Sequence, residues 1–486
     1  MEKFYWILTT SIFLADLAIR IGLSLRVIMR KREASVTLAW LVIILLLPFA
    51  GAIIYLLLGE NRLGQKRAAH AAASVPIYKK WVAGLNQRIK FDWNRASAAY
   101  QPVEAQARRV IGLPTLPGND LRLIDTPETF FRLLLADIDR ASKSCFLQFY
   151  IWEEGGLADE VAEAVIRAAG RGVSCRVLLD SIGSETFLQS ARATEMKSRG
   201  VEIVEALPAG IFRALFVRID LRNHRKMAII DGEVAYTGSQ NLVDPRFFKQ
   251  DEGVGEWIDA TVRVRGPVVE ALTATFFYDW FVESGISQQE LSDTGEILEA
   301  EIAGEALVQL VPSGPGFERG GIHDLLLTTI YTARRELILT SPYFVPDNAI
   351  LSALKSAALR GVEVTVIVPR RNDSRLVHYA SRARYSELAR NGVRIMTFDA
   401  GLLHAKTITV DQEFSLIGSV NLDMRSFWLN FELTLFVYNR QFTEQLRTMQ
   451  QQYIQRAEPL DTPLFAQRSF VARLKENCAL LVGPLL

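Results

Sequence analysis

The chain has 486 residues, 49% of them apolar, with 55 basic against 54 acidic side chains and a formal net charge of +1. That length holds a membrane segment plus two domains of ordinary size, and the balanced charge argues against a protein built mainly to bind nucleic acid. The three cysteines, Cys145, Cys175 and Cys478, cannot make a disulfide framework, and no Cys/His cluster has zinc-ligand spacing, so neither a metal nor another cofactor is expected.

The N-terminus sets the class. Residues 4–25 ("FYWILTTSIFLADLAIRIGLSL") and 36–58 ("VTLAWLVIILLLPFAGAIIYLLL") are each long enough to cross a hydrocarbon core about 30 Å thick. The second carries no charge. The first carries Asp16 and Arg20, four apart and therefore on one helix face, where they can pair. No small-residue cleavage site follows, so residues 1–60 are expected to form a retained transmembrane helical hairpin, and the protein to be multi-pass. Orientation is a tie. Arg26, Arg30, Lys31 and Arg32 lie between the two segments, and Lys3, Arg62, Lys66 and Arg67 on the opposite side, so the positive-inside rule favours neither orientation.

Residues 61–105 are polar and mixed, and read as a linker with some helix lying along the membrane surface, with His70 solvated. An internal duplication follows. The first copy reads "TFFRLLLADIDRASKSCFLQFYIW" and then "LADEVAEAVIRAAGRGVSCRVLLD"; the second reads "HDLLLTTIYTARRELILTSPYF" and then "NAILSALKSAALRGVEVTVIVP". Each predicts helix, apolar strand, helix, apolar strand, and the shared Arg-Gly-Val at 171–173 and 360–362 falls where the second helix stops on a left-handed glycine. Strands alternating with helices imply an α/β fold with mostly parallel sheets. The two domains are placed at 106–300 and 301–486, packed about a pseudo-two-fold axis. The C-terminal "SFVARLKENCALLVGPLL" is expected to be a helix docked on the second domain.

Each copy ends in the same polar skeleton, His-x-Lys, four residues, Asp, six residues, Gly-Ser-x-Asn, as His224, Lys226, Asp231, Ser239 and Asn241, and again as His404, Lys406, Asp411, Ser419 and Asn421. The residues around each Asp predict strand, tight turn, strand, with His and Lys two apart on one face. Two such edges brought together make one site from both halves. Two imidazoles suit nucleophile and proton donor. Two ammoniums suit an oxyanion, and the Ser and Asn side chains can add hydrogen bonds to its oxygens. This is a toolkit for metal-free phosphodiester transfer.

The paired motifs resemble those of the phospholipase D superfamily, complete at every fixed position in both copies across roughly residues 106–470. With the N-terminal apolar pair, "FYIW", "SPYFVPD" and "RSFWLNFE", the chain resembles the bacterial cardiolipin synthases. The resemblance implies a phosphohistidine intermediate, with His224 attacking and His404 protonating the leaving group, although the residues themselves do not rank the two histidines. It implies phosphatidylglycerol and membrane lipid as partners, a place in the bacterial inner membrane and no nucleic acid, and leaves self-association open.

Each imidazole needs a partner that fixes its tautomer. Asp231 and Asp411 are candidates, but each begins a turn, and the resemblance suggests a structural role for them. Asp259, 35 residues after His224, and Glu432, 28 after His404, sit inside apolar strands where an unpaired carboxylate is costly; the resemblance gives such downstream acids the task of holding the histidines. Within each copy the nearer acid is the expected partner, so Asp259 is assigned to His224.

The copies differ before the motif. Nineteen residues separate "RGVEIV" from His224, but only seven separate "NGVRIM" from His404. The extra run, within 205–223, mixes Phe212, Leu215 and Phe216 with Arg213, Arg218 and Arg222, and reads either as a segment dipping into lipid headgroups or as a loop packed on the domain. His323 reads as a helix-start residue and His378 as a surface residue in a basic stretch. A membrane-bound phospholipase D that hydrolyses lipid is the nearest rival function, and a scaffold with a dead site the rival of another class.

Overall fold

The computed structural model describes residues 2–30, 34–60, 64–89, 91, 99–208, 218, 220–285, 299–315, 320–481 and 483. The chain divides into two units, residues 1–66 with 209–221, and residues 67–208 with 222–486.

In the first unit, α1 (Glu2–Met29) is continuous, but the expected second span is not. It is broken into α2 (Ala34–Leu46) and α3 (Ala50–Leu58). Pro48 has no N–H to continue the ladder, and Phe49 turns the backbone at φ 50°. α3 then folds back on α2: the rings of Trp40 and Tyr55 lie 5.3 Å apart, and a Cβ on Gly51 would strike the Ile43 carbonyl. Val27, Trp40, Ile44 and Tyr55 form the buried centre. This corrects the expected transmembrane hairpin: among the described residues no helix is long and apolar enough to cross a membrane.

The second unit is built on one large sheet. The first copy supplies β1 (Leu116–Ile124), β2 (Ser144–Phe149), β3 (Ser174–Asp180), β4 (Glu202–Ala206), β5 (Met227–Ile230), β6 (Val234–Gly238), β7 (Trp257–Ile258) and β8 (Thr261–Arg265). The second supplies β9 (Ala306–Ser313), β10 (Glu336–Thr340), β11 (Phe344–Val345), β12 (Glu363–Pro369), β13 (Arg394–Phe398), β14 (Leu402–Leu403), β15 (Thr407–Val410), β16 (Phe414–Gly418), β17 (Leu422–Asp423), β18 (Glu432–Tyr438) and β19 (Ala457–Pro459). Fifteen strands run in the order β19-β13-β12-β10-β15-β16-β18-β9-β1-β8-β6-β5-β2-β3-β4. Leaving β19 aside, the order reads as equivalent strands outward from the antiparallel β9–β1 seam, as a two-fold relation requires.

The helices expected from the apolar periodicity are present at Pro127–Arg140, Leu157–Gly170, Gly321–Thr332 and Asn348–Leu359. Gly172 and Gly361 adopt φ 86° and 91° just beyond the second helix of each copy, the left-handed stop that Arg-Gly-Val implies. The sheet is mixed, which corrects the mostly parallel expectation. β2–β3–β4 and β10–β12–β13 pair in parallel, but the motif hairpins β5–β6 and β15–β16 and the central strands are antiparallel. A hairpin joined by a tight turn can pair in no other way.

The helix Gln65–Arg88 replaces the expected surface linker. Trp81 Nε1 donates to Glu270 at 2.9 Å and Arg67 pairs with Glu283 at 2.5 Å, so it docks on the buried helix Val268–Ser284. His70 is half-buried with Nδ1 3.3 Å from the Val282 carbonyl, rather than solvated. The C-terminal helix Phe470–Leu481 is docked through buried Glu476, which accepts from Arg382 at 3.0 Å and Arg468 at 2.9 Å.

Candidate active site

The segments leading into the two motif histidines exchange partners between the halves. Asn223 bridges to Phe431, and the His224 N–H donates to the Phe431 carbonyl at 2.9 Å. In the mirror arrangement β14 pairs with β7, and the His404 N–H donates to the Ile258 carbonyl at 2.8 Å. Each histidine is therefore delivered beside the strand that carries the other half's acid. His224 Nδ1 lies 2.9 Å from Glu432 Oε2, and His404 Nδ1 lies 2.6 Å from Asp259 Oδ1. The carboxylates can only accept, so each Nδ1 carries the proton and each Nε2 is left with a lone pair. The expected assignment of Asp259 to His224 is thus corrected: the acids pair crosswise, because the strand exchange swaps the neighbours.

All four groups are buried, with Glu432 fully so. Lys226 and Lys406 fold back, donating to the carbonyls of His224 at 2.7 Å and His404 at 2.6 Å. Burial pushes His224 down to about 4, with Glu432 pulling it back and Lys226 pushing it further. Burial and then Lys406 push His404 down to about 3 against the pull of Asp259. Both imidazoles are thus neutral near pH 7. Burial would raise Asp259, but His404, Lys406 and the Ser239 hydroxyl hold it at about 2. Burial and Lys406 depress Lys226 to about 7, and burial depresses Lys406 to about 8 against the acids around it. Each lysine acts on the other half's imidazole, so the four groups share one site. Lys406 depresses Lys226 by like-charge repulsion, which an anion between the two ammoniums would relieve.

The motif serines face the acids. Ser239 Oγ donates to Asp259 at 2.6 Å and accepts from the Ala260 N–H at 3.0 Å; Ser419 Oγ donates to Glu432 at 2.5 Å and accepts from the Leu433 N–H at 2.9 Å. The two serines, expected to bind phosphate, here give their hydroxyl protons to the carboxylates that hold the imidazoles. Asn241 accepts from the Ile151 N–H at 3.1 Å, while its buried Nδ2 has no hydrogen-bond partner among the described residues. Asn421 likewise has a buried Oδ1 with no partner among the described residues. These amides remain available to a ligand.

The motif aspartates stand apart from the imidazoles, at the far end of β5 and β15. Asp231, at φ 54°, accepts from the N–H groups of Ser142, Lys143 and Ser144 at 2.9, 2.7 and 2.8 Å. Asp411, at φ 53°, accepts from Arg334, Arg335 and Glu336 at 3.0, 2.7 and 2.9 Å. Grouping them with the catalytic residues is corrected: each ties the motif turn to the start of β2 or β10. His224, Lys226, His404 and Lys406 precede β5 and β15 in extended lead-ins rather than lying on the strands themselves.

Several site residues escaped the sequence reading. Arg225 is wholly buried; it grips Asp279 at 2.7 Å and donates to the carbonyls of Glu432 at 3.1 Å and Ser313 at 3.2 Å. The signal was a second charge inside the motif and a carboxylate in an otherwise apolar helix. Tyr150 stacks edge-on against His224 at 5.1 Å, and Trp257 lies 4.3 Å from His404, which nothing local announced. His323 is on a helix first turn but is held by Asp347 at 3.0 Å, and His378 is half-buried on the helix Arg375–Arg390. In the extra run before His224, residues 209–217 and 219, including Phe212, Arg213, Leu215 and Phe216, lie outside the described residues. Arg218 pairs with Asp220 at 2.5 Å, and Arg222 pairs with Asp180 at 3.3 Å. Among the described residues, no group of three or more His, Cys, Asp or Glu side chains is placed to hold a metal ion.

Comparison with known proteins places this geometry. A family model described as "Cardiolipin synthase, PLD-like domain" matches residues 134–280 and 326–454, and one described as "Phospholipase_D-nuclease N-terminal" matches residues 18–60. The chain is 43% identical over 486 residues to a protein named cardiolipin synthase A from Cronobacter sakazakii, covering 100% of both. It is 44% identical over 465 residues to one of the same name from Yersinia pseudotuberculosis, covering 96% of both. A crystal structure of phosphatidylserine synthase from Haemophilus influenzae shares the fold, with TM-score 0.59 at 14% identity over 79% of this chain and 100% of that one. With two complete motifs meeting in one site, and with identity of this level along its whole length, the chain belongs to the cardiolipin synthase family of phospholipase D-like proteins.

Proposed function

We propose that the protein transfers a phosphatidyl group from one phosphatidylglycerol to another, releasing glycerol and forming cardiolipin. The observation that carries this reading is the crossed pair of histidine–carboxylate contacts flanked by two buried lysines. The anionic phosphodiester enters between Lys226 and Lys406, and its charge restores theirs and raises the neighbouring imidazoles. Asn241 is placed to add a hydrogen bond to a phosphate oxygen.

His224, its Nδ1–H held by Glu432, attacks phosphorus through Nε2. The Nε2–P bond forms as the P–O bond to glycerol breaks, and protonated His404 gives its Nε2 proton to the leaving alkoxide. Glu432 stabilises the imidazolium character that develops on His224. A hydroxyl of the second phosphatidylglycerol then gives its proton to His404 and attacks phosphorus, and the N–P bond breaks. One phosphodiester replaces another, so no nucleotide is consumed. The order of the two histidines follows the family resemblance.

The exposed apolar side chains of the N-terminal unit, among them Phe4, Trp6, Phe13, Leu38 and Leu46, support a seat in the lipid membrane that holds the substrates. Reconstitution in liposomes of pure phosphatidylglycerol tests the reading, with His224→Ala and His404→Ala as controls. Cardiolipin plus glycerol is the expected product; phosphatidic acid plus glycerol would mark a hydrolase instead.

A further inference from the structure

The break in the second apolar segment carries more than a failed span. It leaves polar backbone groups inside an apolar unit, and an ion pair on α1 answers them. The Asp16 carboxylate, buried and paired with Arg20, accepts from the Phe49 N–H at 2.9 Å. Arg20 donates to the Leu45 carbonyl at 2.7 Å. The start of α3 and the end of α2 are thus capped from the middle of a neighbouring helix. A turn facing water would find these partners in solvent. A turn in hydrocarbon must find them within the protein.

The other end of the unit is polar. Glu60, wholly buried, accepts from Arg26 at 2.6 and 2.9 Å and from Tyr55 at 3.1 Å, and pairs with Arg30 at 3.1 Å. Arg26 and Arg30 close α1 just before α2 begins. The chain therefore leaves α3 at the end where it entered α2. Thirteen residues of α2 rise about 20 Å at about 1.5 Å per residue, short of the roughly 30 Å of a hydrocarbon core. The surface of the hairpin is apolar, with Leu38 61% and Leu46 72% exposed.

We propose that residues 34–60 are a re-entrant hairpin whose occupant surface is lipid acyl chains, entering and leaving the bilayer through its cytoplasmic face. This rests on the membrane seat proposed above. It resolves the charge tie of the linear sequence. Basic residues 26, 30, 31, 32, 62, 66 and 67 flank residues 34–60 on their two sides in the chain, and a re-entrant course returns the chain to the side of the bilayer from which it entered. An excess of Lys and Arg on both flanks marks that side as the cytoplasmic one by the positive-inside rule.

The test is sided labelling of the full-length chain in a bacterial host. Single cysteines replace Met29 and, separately, Lys66, both exposed, in a Cys478→Ser background, since Cys145 and Cys175 are buried. A membrane-impermeant maleimide is applied to intact cells with a permeable outer layer and to inverted membrane vesicles. Both positions are expected to label in inverted vesicles and neither in intact cells. Labelling of either position in intact cells overturns the proposal. Alkaline carbonate extraction of the same membranes separates the two readings: release of the protein would sink the membrane seat itself, whereas retention with opposite-sided labelling would sink only the re-entrant course.

Discussion

His224 and Glu432 are 208 residues apart in the chain, and their Nδ1 and Oε2 atoms are 2.9 Å apart in the fold. His404 and Asp259 repeat the relation across 145 residues at 2.6 Å. Each half of the duplication therefore supplies a histidine that the other half must orient. A half expressed alone would carry an imidazole without its carboxylate and a buried carboxylate without its imidazole, which is a physical reason for both halves to remain in one chain.

The crossed pairing is directly measurable. Glu432→Gln is expected to move the ¹⁵N resonances of His224 and leave those of His404 near their places, and Asp259→Asn to do the reverse. Either change should lower kcat by on the order of 10²–10⁴ with the protein still folded, as expected when an imidazole loses its orienting carboxylate. Full activity in folded Glu432→Gln protein would remove the positioning role.

Acid should weaken the catalytic unit. His224 and His404 are pushed below the ordinary 6.5, to about 4 and about 3, so between those values and 6.5 the unfolded chain binds more protons than the folded one. Stability then rises with pH across that window and is lost on acidification, by on the order of 3 kcal/mol per imidazole. Urea titrations at pH 7 and pH 5 read the slope, and the double variant His224→Ala/His404→Ala should flatten it. A wild-type protein equally stable at both values would mean that the imidazoles are not held neutral.

Substrate binding should take up protons. Lys226 and Lys406, depressed to about 7 and about 8, lose charge as the pH rises and regain it against a phosphodiester anion. The apparent KM for phosphatidylglycerol in mixed micelles is expected to climb between pH 7 and 9. Calorimetry with a short-chain analogue in buffers of different ionisation enthalpy should show net uptake near pH 8. A flat KM with no uptake would contradict the depressed lysines.

The motif aspartates should matter to the fold more than to the chemistry. Asp231→Ala or Asp411→Ala strands three backbone N–H groups and places a Cβ-bearing residue without a carboxylate at positive φ. A cost of about 1–3 kcal/mol is expected, with kcat per folded molecule within severalfold of the parent. Asn should be milder than Ala, because it tolerates the left-handed backbone and still accepts.

Arg225 and Asp279 form a buried pair with no counterpart at Ala405 in the second copy. Removing one partner, as in Arg225→Met or Asp279→Leu, should cost about 3–5 kcal/mol, and Arg225→Met/Asp279→Leu should recover much of it. Thermal denaturation of the four proteins forms the cycle, and additive losses would show that the pair is not coupled.

The sequence by itself determined the duplicated helix–strand–helix–strand units, the motif hairpins and the paired His and Lys of the two motifs. All of these depend on local periodicity and on residue types that keep their chemistry wherever they are placed. What it could not decide was any relation that depends on which distant segment lies alongside. The Arg222–His224 lead-in pairs with residues 430–432, so His224 meets Glu432 rather than the nearer Asp259. Ser239 and Ser419 are turned onto those acids. The 23-residue apolar run at 36–58 has the length of a span, yet Pro48, together with Asp16 and Arg20 on another helix, makes it a hairpin. In each case the deciding interaction joins groups far apart in the chain, and only tertiary packing brings them within hydrogen-bonding distance.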